Sequence, residues 1–207
     1  MSSVRHPKLG VVVDFANCAP GSQTRIVAGQ RRMYLDEGRQ PWAYYGPMVA
    51  AIRRALADPA PEAVLELAVA RVSDPAKHAH FVELQKGFLR WHEGFAGSLV
   101  PVGAGTWVGA DAVFDVVPQL GLRPAKGPKL AVQLYMKEPE LHPDAAVVPL
   151  HMMRSVMDQV LPTGVPAILD VRRGKLLLPS RRRSDKRLDA DVAGVVAHWS
   201  AIWRAIA

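Results

Sequence analysis

Cysteine is almost absent from the chain. Cys18 is the single one in 207 residues, so no internal disulfide can form and no cysteine-based zinc site can be built. A reducing cytoplasm is the expected compartment. Long apolar runs are missing as well. None approaches the length of a membrane span, so no membrane association is expected. The opening MSSVRHPKLGVVVDF has only a short apolar run after its basic residues, too short for a signal peptide. Gly103 and Gly105 lack the basic residue and helix start of a phosphate cradle, and no nucleophile-elbow pattern occurs. His78 and His80 stand two apart on a predicted helix, a spacing that does not face one metal. His151 and His198, each alone on an apolar helix, read as core histidines. Internal repeats and low-complexity tracts are also missing.

What is present is a soluble-domain composition, 49% hydrophobic, with an uneven charge. The formal charge is +7, from 26 Lys and Arg against 19 Asp and Glu. Residues 171–187, VRRGKLLLPSRRRSDKR, hold eight basic residues and one Asp, which is +7 alone, so the remaining residues sum to zero. Arg172, Arg173, Lys175, Arg181, Arg182, Arg183, Lys186 and Arg187 therefore form the candidate polyanion contact. The competing reading is a solvated loop. Residues 174–178 read as a short strand between the two basic clusters.

Residues 9–15, LGVVVDF, read as an apolar strand ending in Asp14. The next stretch, through RIVAGQRRMYLDEGRQ, fits no template. From Pro41 a helix is expected, carrying Tyr45, Met48, Val49, Ile52 and Leu56 on one side. It ends at Asp58-Pro59, and EAVLELAVARV after it fits a helix or a strand. Asp74-Pro75 is the clearest start signal, a cap followed by a proline whose missing N–H costs nothing there. That helix should reach about His92 with Phe81, Leu84, Phe88 and Trp91 buried. SLVPV and TWV then fit short strands. A helix over about 144–160 follows, then PAILDV and GKLLL around a tight Arg172-Arg173-Gly174 turn. A final helix from Asp185 should bury Trp199 and Trp203. The expected division is a strand and helical extension over 1–72, packed on an α/β core over 73–207.

The centre of that core is Asp111 to Lys137. KLAVQLYMK alternates cleanly, with Leu130, Val132, Leu134 and Met136 on one face and Lys129, Ala131, Gln133, Tyr135 and Lys137 on the other. DAVFDVV puts Asp111, Val113 and Asp115 on one side. The Pro- and Gly-rich stretch 118–128 reads as a turn, which makes the two strands a hairpin. Two carboxylates and two lysines would then share one face, looking into a cleft.

This order of elements resembles the αβββαβ core of the PD-(D/E)xK nuclease superfamily, whose site lies on the central hairpin. The resemblance implies an α/β fold, a small mixed sheet flanked by helices. It matches Asp115 to the motif Asp, Lys137 to the motif lysine and Glu83 to the acid of the first helix. In an active member such carboxylates, here Asp115 with Asp111, would hold Mg²⁺, which polarises the phosphate and activates water. Tyr135 departs from the pattern, standing where Asp or Glu is required. The strand LYMK, the hairpin LDVRRGKL and the Trp-rich last helix also resemble a set of uncharacterised bacterial proteins. Asp14 at the end of an apolar run is similar to the opening of the PIN/NYN ribonuclease families. The expected function is a catalytically degenerate nuclease-like protein that binds nucleic acid or docks in a nucleic-acid-processing complex. One alternative is an interaction module whose basic segment meets an acidic protein partner. The other is an active nuclease with a rearranged acidic site.

Overall fold

The computed structural model describes residues 6–36, 43–180 and 183–206. Along them run α1 (Gly10–Asn17), α2 (Gln23–Leu35), α3 (Gly46–Ala55), α4 (Pro61–Ala70), α5 (Pro75–Glu93), β1 (Gly97–Val100), β2 (Gly105–Val108) and β3 (Val113–Val116). They are followed by β4 (Leu120–Pro124), β5 (Leu130–Tyr135), α6 (Pro143–Arg154), α7 (Met157–Val160), β6 (Val165–Asp170), β7 (Lys175–Leu177) and α8 (Asp185–Ala205). The fold is mixed α/β. A five-stranded sheet has the order β1-β4-β5-β6-β7, and β2 with β3 makes a separate two-stranded sheet. Among the named strands β5 and β6 alone pair in parallel, from Leu130↔Val165 to Tyr135↔Asp170, so α6 and α7 form the crossover that a parallel pair requires. Among the described residues no helix is long and apolar enough to cross a membrane.

The alternation in β5 partitions its side chains as expected, but neither face looks into a cleft. Every residue from Leu130 to Tyr135 is buried. Leu130, Val132, Leu134 and Met136 pack with Met48 and Ile52 of α3, Leu65 of α4, and Phe81, Leu84 and Phe88 of α5. Across the sheet, Ala131 joins Phe15, Val27, Met152, Val196 and Trp199 from α1, α2, α6 and α8. Tyr135 lies with Val13, Leu150 and Ile168. The N-terminal 72 residues thus supply helices to both layers.

Several helices follow their local signals. Asp74 Oδ1 accepts from the Lys77 amide at 2.7 Å and caps α5, with Pro75 opening the helix. Pro47 sits in the first turn of α3, where its ring is harmless. EAVLELAVARV is helical, as α4. The stretch expected over 144–160 divides into α6 and the single turn of α7. Trp199 is 3% exposed, as a core residue should be, whereas Trp203 is only partly buried and packs on Trp199 at 4.8 Å between ring centroids.

Three expectations are corrected. LGVVVDF is not a strand but α1, with Val11, Val12, Val13 and Phe15 all buried. A short run with consecutive buried apolar residues has no diagnostic period. The strand-like pairing falls just before it, where the Leu9 amide donates to Asp115 O and the Asp115 amide to Pro7 O, both at 2.9 Å. The stretch 118–128 is not one turn, since it contains β4. Gly121 is there for space: a Cβ would collide with the Val100 carbonyl of the neighbouring strand. Consequently β3 and β5 do not form a hairpin. β4 takes the edge of β5, with Leu120 opposite Val132, and β3 pairs with β2.

Gly87 is where α5 meets the turn after β6 without room for a side chain. A Cβ there would collide with the carbonyls of Val171 and Arg172, and Gly174, at φ +64°, faces Gly87 O across the same seam. Gly→Ala inside a helix normally gains about 1 kcal/mol. Here overpacking against backbone that cannot yield costs about 3 kcal/mol. Gly87→Ala should therefore lower stability by about 2 kcal/mol net in urea denaturation. A gain in stability would show that the α5–turn seam opens without cost.

Candidate functional site

The residues matched to the nuclease motif are dispersed. Asp115 lies in β3, with Oδ1 3.4 Å from His6 Nδ1. Asp111 faces α8, 3.6 Å from Arg204 Nη2. Glu83 is on the outer side of α5, bound to Lys86 at 3.0 Å. Lys137 follows β5, and its Nζ lies 3.5 Å from Asp14 Oδ2. Asp115 and Lys137 thus belong to different sheets and different ion pairs. Tyr135 is engaged elsewhere: its hydroxyl accepts from Asn17 Nδ2 at 3.0 Å and donates to Pro139 O at 2.9 Å. Among the described residues no three His, Cys, Asp or Glu side chains converge as a metal site. A Mg²⁺ held by Asp115 and Asp111 beside Lys137 does not fit this arrangement. Asp14 lies within α1, not at a strand end, so the geometry behind the PIN/NYN likeness is corrected too.

What does converge is a polar cluster at the carboxyl ends of β5 and β6, where open α/β sheets hold their ligands. Asp170 closes β6 and is fully buried. Its Oδ2 accepts from the Leu141 amide at 3.0 Å, and its Oδ1 from the Arg173 amide at 3.3 Å. The Arg173 guanidinium sits 3.6 Å from the same Oδ1 and donates to Glu138 O at 2.5 Å. Arg172 O accepts from Arg90 Nη2 of α5 at 3.1 Å. The Arg172-Arg173 turn is therefore braced by Arg90 of α5, by Asp170 at the end of β6 and by the loop after β5.

One chain of contacts here was invisible in the sequence. Arg172 Nη1 lies 2.9 Å from His80 Nδ1, and His80 Nε2 lies 3.3 Å from Tyr45 Oη. A guanidinium only donates, so Nδ1 is the acceptor and the ring proton belongs on Nε2, directed at Tyr45. Burial lowers the His80 pKa, with the Arg172 and Lys137 charges adding to it and the Met136 carbonyl and Glu138 opposing. Burial likewise raises the Tyr45 phenol, and it pushes Tyr135 up to about 12, helped by the charge of Asp14. Asp14 itself is raised by burial against the pull of Lys137.

The basic segment is less free than its composition suggests. Besides Arg172 and Arg173, Lys175 pairs with Glu140 at 3.4 Å. Arg183 meets Asp191 at 3.1 Å and Asp144 at 3.4 Å. Lys186 and Arg187 are exposed on the first turn of α8. Arg181 and Arg182 lie outside the described residues. The strand between the clusters is β7, only three residues long.

The sequence matches no family model and no curated protein.

The His80 contacts carry a pH signature. An unfolded imidazole takes its proton near pH 6.5, but the folded one, with its pKa lowered, takes it at lower pH. The unfolded state therefore binds more protons in that window, and stability falls as pH drops below about 6.5. His80→Gln keeps an acceptor for Arg172 and a donor for Tyr45 without titrating. Thermal melts at pH 7 and pH 5 should show a smaller loss in the variant; equal losses would remove His80 from the account.

Proposed function

We propose that this protein binds nucleic acid through the phosphate backbone, using segment 171–187, as a nuclease-like scaffold that does not cleave. One observation carries the reading. All of the net charge is concentrated in that segment, and its Arg172-Arg173 turn is held rigidly beside Arg90 and Lys137. Cations fixed before binding lose little entropy when a phosphate arrives. The order α5–β1–β4–β5–α6–β6, with the β2–β3 hairpin set aside, supports the likeness to an αβββαβ core. Tyr135 in place of a carboxylate, with its hydroxyl already committed, supports the loss of cleavage. The lone Cys18, its thiol pushed up by burial, is in keeping with a reducing cytoplasm.

A second reading has its own observation. Arg173, Lys175 and Arg183 already pair with carboxylates of this chain, which is the chemistry an acidic protein partner would offer.

Binding through phosphates releases counterions, so affinity should fall steeply with salt and depend little on sequence. Replacing Lys186 and Arg187 together with Ala should flatten the log–log salt slope on a duplex probe by about 1.8. No binding to any probe at about 50 mM salt, with release of a co-purifying acidic protein by the same variant, would transfer the segment to the second reading. Incubation with Mg²⁺ should leave nucleic acid intact. Cleavage abolished by Asp115→Ala would show that a working acidic site exists after all.

A further inference from the structure

Aromatic residues make up only 7% of the chain, and among the described residues all but one are buried or half-buried. Tyr44 is not: it is 44% exposed. Nor is it loose. Its ring stands edge-on to Tyr45, with centroids 4.7 Å apart at 79°, and to Phe81 at 6.0 Å and 85°. Lys77 Nζ lies 4.7 Å from its centroid. The His80 ring, 6.4 Å from Tyr44, leads directly to Arg172. Lys137 Nζ stands 5.8 Å from the neighbouring Tyr45 ring. Three cations thus surround one aromatic pair at the carboxyl ends of β5 and β6. Among the carboxylates of the described residues, Asp14 is bound to Lys137, Glu138 adds a charge near His80, and Glu83 feels the Arg172 charge while bound to Lys86.

A cationic face needs phosphate, but phosphate alone gives no use for a fixed, exposed ring. A duplex keeps the faces of its bases stacked inside, whereas a single strand offers both phosphates and free base faces. We infer that this face takes single-stranded nucleic acid, with a base stacked on Tyr44 and the flanking phosphates on Lys77 and Arg172. The inference rests on the nucleic-acid reading above and names the strand form that reading leaves open. Tyr45 and Phe81 hold the Tyr44 ring upright, so little freedom is lost when a base lies on it. Lys77 exchanges its contact with the ring for a phosphate oxygen, a stronger partner for an ammonium. His80, accepting from Arg172, aims that guanidinium at the next phosphate. Because Arg172 also opens segment 171–187, a bound strand runs from the aromatic face onto the basic segment.

The test is fluorescence anisotropy on the full chain with a labelled pyrimidine strand of about ten nucleotides and with its duplex. Tyr44→Ala should weaken single-strand binding about 5- to 150-fold and change duplex binding less than about twofold. Tyr44→Phe, which keeps the π face, should bind the strand like the wild type. A thermal melt confirms that both variants fold. If the wild type binds but Tyr44→Ala holds the single strand equally well, the stacking site is overturned while the segment reading survives. If the wild type binds neither probe, both fall together. Displacement of the strand by an equal concentration of nucleoside monophosphate would also overturn the inference, in favour of a mononucleotide pocket.

Discussion

The molecule depends on a strand with no exposed side. With all six residues of β5 buried, apolar material must cover the sheet on both faces, and every helix is placed by that demand. α3, α4 and α5 close one face; α1, α2, α6 and α8 close the other. Covering the second face also requires α6 to leave from one end of β5 and the chain to re-enter beside it as β6. That is why the one parallel pair sits at the centre of an otherwise antiparallel sheet.

The same connection opens the strand ends to polar chemistry. Where β5 and β6 stop, the backbone amides of the following loops need partners, and the buried Asp170 carboxylate supplies two of them. A buried carboxylate needs compensation in turn, which Arg173 provides. The turn that carries Arg172 therefore owes its position to the internal needs of the fold. Function, on the reading proposed here, uses cations that the architecture had already immobilised.

Much of the fold was legible where local chemistry and tertiary demand agree. Asp74-Pro75, the apolar face of α8 and the tight turn at Gly174 carry signals that do not depend on distant residues. Legibility ended where packing outweighed local preference. The β-branched run of α1 shows no helical period because Val11, Val12 and Val13 are all buried in succession. Gly121 and Pro124 read as breakers, although one gives a neighbouring strand room and the other only ends β4. The site was less visible still. Arg172 and His80 are 92 positions apart, and Tyr45 is another 35 before His80, so nothing local joins them. Tyr45 reads as the start of a helical stripe, while nothing in the sequence singles out Tyr44 beside it until its exposure is known.

Buried Gln30 has a temporal consequence. Its amide donates to Val11 O at 3.0 Å and accepts from Trp199 Nε1 at 2.9 Å, tying α1 and α2 to a residue 169 positions later. A ribosome makes α1 and α2 first and α8 long afterwards, so Phe15, Val27 and Gln30 have no permanent cover during most of synthesis. In the opposite layer α3, α4 and α5 are contiguous and can pack on one another as they emerge, although their inner face waits for β4, β5 and β6. The nascent chain therefore brings α3, α4 and α5 together early, covers their inner face only when β4, β5 and β6 emerge, and seals the α1–α2 layer last, with α8.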